Sequence, residues 1–125
     1  MLANLLLLFV LGLIVGSFLG VLVLRMPLRE PVILARSACP YCQRELTAVE
    51  LIPVISWVIQ LRRCRSCSAK LSSFYPAMEL SAGAVAVLSG WLLSGFWVVA
   101  GCFAGWLVLA LAAWQFSNSG SGARL

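Results

Sequence analysis

Four thiols carry the most legible chemistry in this sequence. Cys39 and Cys42 form one C-x2-C pair, Cys64 and Cys67 form another, and 21 residues separate the pairs. Each pair suits a tight knuckle that aims two sulfurs at one point, with Pro40 and Ser66 as turn residues inside them. Two knuckles supply the tetrahedral four-thiolate shell of a structural zinc site, although the gap is one residue beyond the usual zinc-ribbon range. Such a shell is closed, so the zinc itself would catalyse nothing. Arg36, Arg44, Arg62, Arg63 and Arg65 flank the thiols and can offset their negative charge. Other readings of the thiols are disulfides, which belong in oxidising compartments, redox chemistry and plain unmetallated thiols. A redox C-x-x-C normally sits on a thioredoxin-like βαβ unit, and no such pattern is present. Cys102 lies apart, among Gly101, Phe103 and Ala104, as a small buried hydrophobe.

Carboxylates are the next resource, and they are few. The chain has no histidine and no aspartate; its acidic side chains are Glu30, Glu45, Glu50 and Glu79. Glu79 is the candidate catalytic residue, because an ionisable group inside an apolar segment is costly and usually functional. An ion pair with Arg25, or a wet position near the headgroups, would explain it equally. Arg25, Glu50 and Tyr75 are the candidate substrate- or cofactor-binding residues. Against this, Arg25 reads as a membrane anchor, while Tyr75 and Trp57 fit an aromatic belt.

The elements that must position these groups are greasy. Of 125 residues, 62% are hydrophobic and 10% charged, and the mean hydropathy is +1.03. This is the composition of an all-α membrane protein with three transmembrane helices and a cytoplasmic zinc-knuckle loop between the first and second. The first apolar run is Leu2–Leu24. It lacks the basic start and the cleavage site of a signal peptide, so it reads as a retained span. The other runs are Ala77–Leu93, short and carrying Glu79, and Phe96–Phe116, with Ser94 and Gly95 as a tight turn between them. The division is then residues 1–24 as the first span, 25–76 as the loop, 77–116 as a helical hairpin and 117–125 as a flexible tail.

Charge predicts the orientation. Between residues 25 and 75 stand eight basic side chains and three glutamates. Lys and Arg stay on the cytoplasmic side, so the N-terminus is outside and the loop is cytoplasmic. A reducing compartment agrees with thiolates rather than disulfides. Within the loop, residues 50–61 (ELIPVISWVIQL) are too short to span. They predict an interfacial helix with Arg62 and Arg63 reaching phosphates, or a segment packed on the protein's own spans. Gly12, Gly16 and Gly20 make a smooth stripe for close helix packing. Topology and acidic lipid account for the basic residues, so nucleic acid is not expected as a partner.

The order GSFLGVLVLRMP (16–27), RSACPYC (36–42), ELIPVISW (50–57), RRCRSC (62–67) and LSSFYPAMEL (71–80) resembles the N-terminal part of the bacterial prepilin leader peptidases. The resemblance implies a multi-pass protein of the bacterial inner membrane acting on prepilins of type IV pili or pseudopilins of type II secretion. In that family the leader is cut after a glycine, and the new amine is methylated with S-adenosylmethionine. The resemblance places Glu79 on the glutamate of a Y-P-x-V-E-L motif, where it would meet the substrate ammonium or the cofactor.

The chain also departs from the family. Two intramembrane aspartates cut the leader in relatives, whereas LALAAWQF (109–116) stands here where a catalytic I-D pair is expected. Gly20 and Leu51 replace expected asparagines, and Phe74 replaces a frequent arginine. Without aspartate there is no dyad of carboxylates sharing a proton. The resemblance therefore implies a methylating or cleavage-supporting module that needs an aspartate-bearing membrane partner. The alternative is a non-catalytic zinc-knuckle scaffold or subunit for such a peptidase. No Gly-rich cofactor loop is visible, so methyl transfer rests on the resemblance more than on visible chemistry, with Glu79 as the carboxylate that could help the amine lose its proton.

Overall fold

The computed structural model describes residues 1–26, 38, 39 and 41–119. The expectations for Arg29, Glu30, Arg36, Pro40 and Arg124 lie outside the described residues. The structure is helical: α1 Leu2–Arg25, a 3-10 turn Ala48–Leu51, α2 Ile55–Ile59, α3 Phe74–Leu92 and α4 Phe96–Asn118. Two of these helices, α1 and α4, are long and apolar enough to cross a membrane. Their 24 and 23 residues extend about 35 Å, against a hydrocarbon core of about 30 Å.

The segment expected over Ala77–Leu93 forms α3, but three residues earlier, at Phe74. Pro76 does not stop it there, because the first-turn N–H groups of a helix have no intrahelical partner to lose. The Ala77 N–H makes the first bond, to the Ser73 carbonyl at 3.1 Å. Tyr75, Pro76, Glu79 and the serines dilute its apolar character, and α3 is not among the two helices that qualify as spans. The run expected as one interfacial helix over 50–61 is broken instead. Only Ile55–Ile59 is α-helical, after a sharp turn at Pro53–Val54.

Helix α3 is the hub and packs antiparallel on α1. The register is written in the glycines. A Cβ on Gly12 would lie 2.6 Å from Gly83 Cα, one on Gly16 2.7 Å from Glu79 Cα, and one on Gly20 3.3 Å from Tyr75 Cδ1. Four residues forward on α1 thus match four residues back on α3, and the expected stripe is a backbone-to-backbone seam. Phe9 and Leu13 return the contact by covering Gly83. Helix α4 closes on the other side of α3: Val85 meets Gly105, and Trp106 Nε1–H donates to the Ala82 carbonyl at 3.0 Å. The turn before α4 is made by Gly95, whose φ of +57° suits a residue without Cβ.

What remains outside is apolar. Leu6, Leu7, Val10, Ile14 and Phe18 on α1, and Phe103, Leu107, Val108 and Leu111 on α4, are all exposed. Small residues face inward and large ones outward, the arrangement of helices that pack by close approach and give their bulk to lipid.

Gly16→Ala tests the seam. The new methyl would collide with the Glu79 and Met78 backbone, so we expect a loss of about 1–3 kcal/mol of stability, read by unfolding in detergent. Gly20→Ala meets side chains alone, the Tyr75 ring at 3.3 Å and Met78 Cβ at 3.8 Å, and should be much milder.

Candidate metal centre and the buried carboxylate beside it

The two cysteine pairs fold into two copies of one knuckle. In the first, the Cys39 N–H donates to the Arg44 carbonyl at 3.0 Å, and the Cys39 carbonyl accepts from Gln43 at 2.9 Å. In the second, Cys64 donates to Ala69 at 2.9 Å and accepts from Ser68 at 3.0 Å. An antiparallel bridge closes each knuckle, Ala38 to Glu45 and Arg63 to Lys70. The residue after the second cysteine has a left-handed backbone in both, with φ of +58° at Gln43 and +56° at Ser68. Glycine would suit both positions, and its absence hides them from a sequence reading.

The knuckles face each other. All four sulfurs lie within 4.8 Å of one another. Cys39 Sγ is 3.8 Å from Cys67 Sγ, and Cys42 Sγ is 3.9 Å from Cys64 Sγ. A tetrahedral ion with metal–sulfur bonds of about 2.3 Å separates its sulfurs by about 3.8 Å, so the four thiols fit a metal ion. All are free thiols, as is Cys102, which is buried in α4. Cys39 and Cys64 are buried, while Cys42 and Cys67 face outward. Backbone N–H groups of Cys67 and Ser66 pull the Cys64 thiol down to about 6, within reach of a thiolate at neutral pH. At Cys67 the Ala69 backbone also pulls down, but desolvation and the neighbouring thiols outweigh it and push the group up to about 11.

Glu50, expected to bind substrate or cofactor, is engaged by the loop itself. Its side chain is 2% exposed. Oε1 takes Arg44 Nη2 at 2.5 Å and lies 3.9 Å from Arg65 Nε; Oε2 accepts from the Thr47 N–H at 2.8 Å and its hydroxyl at 3.0 Å. Arg44 follows Cys42 and Arg65 follows Cys64, so one carboxylate ties a cation of each knuckle to the 3-10 turn between them. The Thr47 N–H, with Arg44 and the Thr47 hydroxyl, holds the Glu50 carboxyl below its ordinary value of 4.5. Arg44 is raised in turn by its bond to Glu50.

Glu79, the candidate catalytic residue, lies in the second turn of α3 and is 5% exposed. Its Oε2 accepts the Val54 N–H at 2.6 Å, and Ser17 of α1 is a second hydrogen-bond partner. These bonds come from an amide and a hydroxyl. Val54 has φ +58° and ψ −49°, a left-handed conformation that a β-branched residue adopts only under strain of about 1–3 kcal/mol. Ile55 N–H turns back to the Pro53 carbonyl at 2.5 Å, making a tight three-residue turn. Sequence reasoning singled out Glu79 but missed Val54 and Ser17, since nothing in a valine signals a positive φ. Arg25 ends α1 and Tyr75 stands in the first turn of α3, its ring over Gly20 and edge-on to Phe74.

The family described as Bacterial Peptidase A24 N-terminal domain matches residues 10–93, the stretch that holds the glycine seam, both knuckles and Glu79. This chain belongs to that family. It is 48% identical over 73 residues to a prepilin leader peptidase/N-methyltransferase of Bacillus subtilis (strain 168), covering 58% of this chain and 29% of that protein. It is 47% identical over 76 residues to the Myxococcus xanthus (strain DK1622) protein of the same name, covering 61% and 23%. A type 4 prepilin-like proteins leader peptide-processing enzyme of Escherichia coli O78:H11 is 33% identical over 119 residues, covering 79% and 44%. The chain thus spans less than half the length of these curated relatives. No solved structure matches it.

Glu50→Gln tests the outer bracing of the thiol centre. Loss of such a partner weakens metal retention by about 10–100-fold, read by competition with a chromophoric chelator. The sign with pH follows from the lowered carboxyl: the ion pair acts fully above pH 4.5 and is lost as pH falls through the depressed value. Wild type and variant should therefore converge in acid. Gln43→Gly and Ser68→Gly should each stabilise the loaded loop by about 1 kcal/mol by relieving the left-handed backbone.

Proposed function

We propose that this chain is a membrane module of prepilin maturation. It holds type IV prepilins or type II secretion pseudopilins for processing in the bacterial inner membrane. The observation that carries the reading is that one family-matching stretch contains the thiol centre, Glu79 and the latch between them. Zinc is the metal the four cysteines suit, as a structural ion in a closed shell. The basic surplus between residues 25 and 75 supports a cytoplasmic loop and an outside N-terminus, with α3 as a third span between α1 and α4.

The chain's 125 residues contain no aspartate. Leader cleavage by an aspartyl dyad therefore needs carboxylates from a separate membrane partner or from further sequence. Arg25 and Tyr75, at the end of α1 and the start of α3, are the proposed contacts for the substrate. The names of the relatives also support a second reading, N-methylation, in which S-adenosylmethionine supplies an activated methyl group. Neither of the clefts described on this chain, of about 220 and 250 Å³, touches Glu79. Glu79 Oε2 is already engaged, so support of processing is preferred and no step is derived through the cofactor.

The test is reconstitution of the chain with an aspartate-bearing half of a prepilin peptidase and a prepilin in proteoliposomes. Leader removal should require both parts and should fall at least tenfold when Cys39→Ser and Cys64→Ser are introduced together. Radiolabelled S-adenosylmethionine with a pre-cleaved pilin peptide separates the two readings. Label on the peptide that is lost in Glu79→Gln would make the chain a methyltransferase. Processing that proceeds equally well without the chain would sink both.

A further inference from the structure

We propose that the cysteine loop docks on an acidic phospholipid surface. A headgroup phosphate would sit between Arg62, Arg63 and Lys70, and Ile55, Val58 and Ile59 would enter the acyl boundary. The proposal rests on the membrane reading of α1 and α4 above. Three independent features support it.

The first is a built cationic cleft of about 220 Å³ lined by Leu61, Arg62, Arg63 and Lys70, with no acidic side chain among the described residues of its lining. Glu50 takes Arg44 and Arg65, so the cleft cations are not consumed by the loop's internal pairing. Their positions are fixed by the backbone. Leu61 and Arg62 are consecutive left-handed residues, with φ of +49° and +62°. The Arg62 guanidinium lies 5.1 Å from the Trp57 ring centroid. The bridge that closes the second knuckle brings Lys70 opposite Arg63.

The second feature is apolar exposure next to that cleft. Ile55, Val58, Ile59 and Leu61 are 54–78% exposed. Bulky aliphatics and cations on one short segment make the mixed surface that sits at a lipid headgroup boundary.

The third feature is depth. The bond from Val54 N–H to Glu79 pins the start of α2 to the second turn of α3. The start of the segment that carries the exposed aliphatics is therefore held beside the first turns of α3.

Amide hydrogen exchange of the full, metal-loaded chain tests this. The chain would be compared in nanodiscs of phosphatidylcholine alone and of phosphatidylcholine with phosphatidylglycerol. Each basic residue near an acidic leaflet contributes about fivefold to attraction. Exchange over residues 55–63 should be at least about fivefold slower in the acidic discs, and the difference should shrink as salt rises. The triple variant Arg62→Gln, Arg63→Gln, Lys70→Gln, compared at matched metal content, should abolish the difference; all three side chains are exposed. Ile55→Ser with Ile59→Ser should reduce protection in both discs. Equal exchange in the two discs would overturn the proposal, as would a difference that survives in the triple variant. Equal protection by inorganic phosphate in detergent would assign the cleft to a soluble anion instead. A chain that enters neither disc would overturn the membrane reading itself, a result distinct from those.

Discussion

A carboxylate buried in an apolar helix must find donors, and the bond from Val54 N–H to Glu79 organises the rest of the chain around that need. The donor comes from the loop, so the loop is fastened to the bundle at that point. Val54 delivers its N–H from a left-handed turn, a strain of about 1–3 kcal/mol. Such a strain persists only where its surroundings fix it. Here they do so from both ends: α2 begins at the next residue, and the carboxylate is fixed on α3. Gly16 completes the arrangement. With no Cβ, it lets α1 lie directly against the Glu79 backbone and brings Ser17 within reach.

The thiol centre depends on the same economy of polar groups. Its two knuckles lie 21 residues apart in sequence and have almost no hydrophobic core between them. The four sulfurs, cross-paired at 3.8 and 3.9 Å, join the knuckles on one side, and Glu50 joins them through Arg44 and Arg65 on the other. A domain this small needs such staples, since burial alone does not order it. Glu50 is spent on structure, leaving Glu79 as the acidic group at the junction of loop and helices.

Much of this was legible in sequence where a spacing encodes a geometry. Two C-x2-C pairs specify two knuckles, and glycines at i, i+4 and i+8 specify a helix seam. Both are as expected. Glu50 was not legible as a brace, because its partners at Thr47, Arg44 and Arg65 come together only after the loop closes. The apolar run 50–61 reads as one helix by hydrophobicity. It is broken because Pro53 and a left-handed Val54 override the pattern, and valine is the residue least expected there. The left-handed Gln43 and Ser68 escaped for the same reason: the conformation is imposed by the metal-type knuckle and not favoured by the residue.

The distribution of chemistry across the chain constrains what such a module does. Its four thiols cluster where a metal ion fits, its best-placed carboxylate holds the loop, and its second carboxylate holds the knuckles. Both carboxylates with described partners are thus used to hold the loop, Glu50 within itself and Glu79 against the helices. A device built this way is suited to presenting the loop's surface at a set position against the helices.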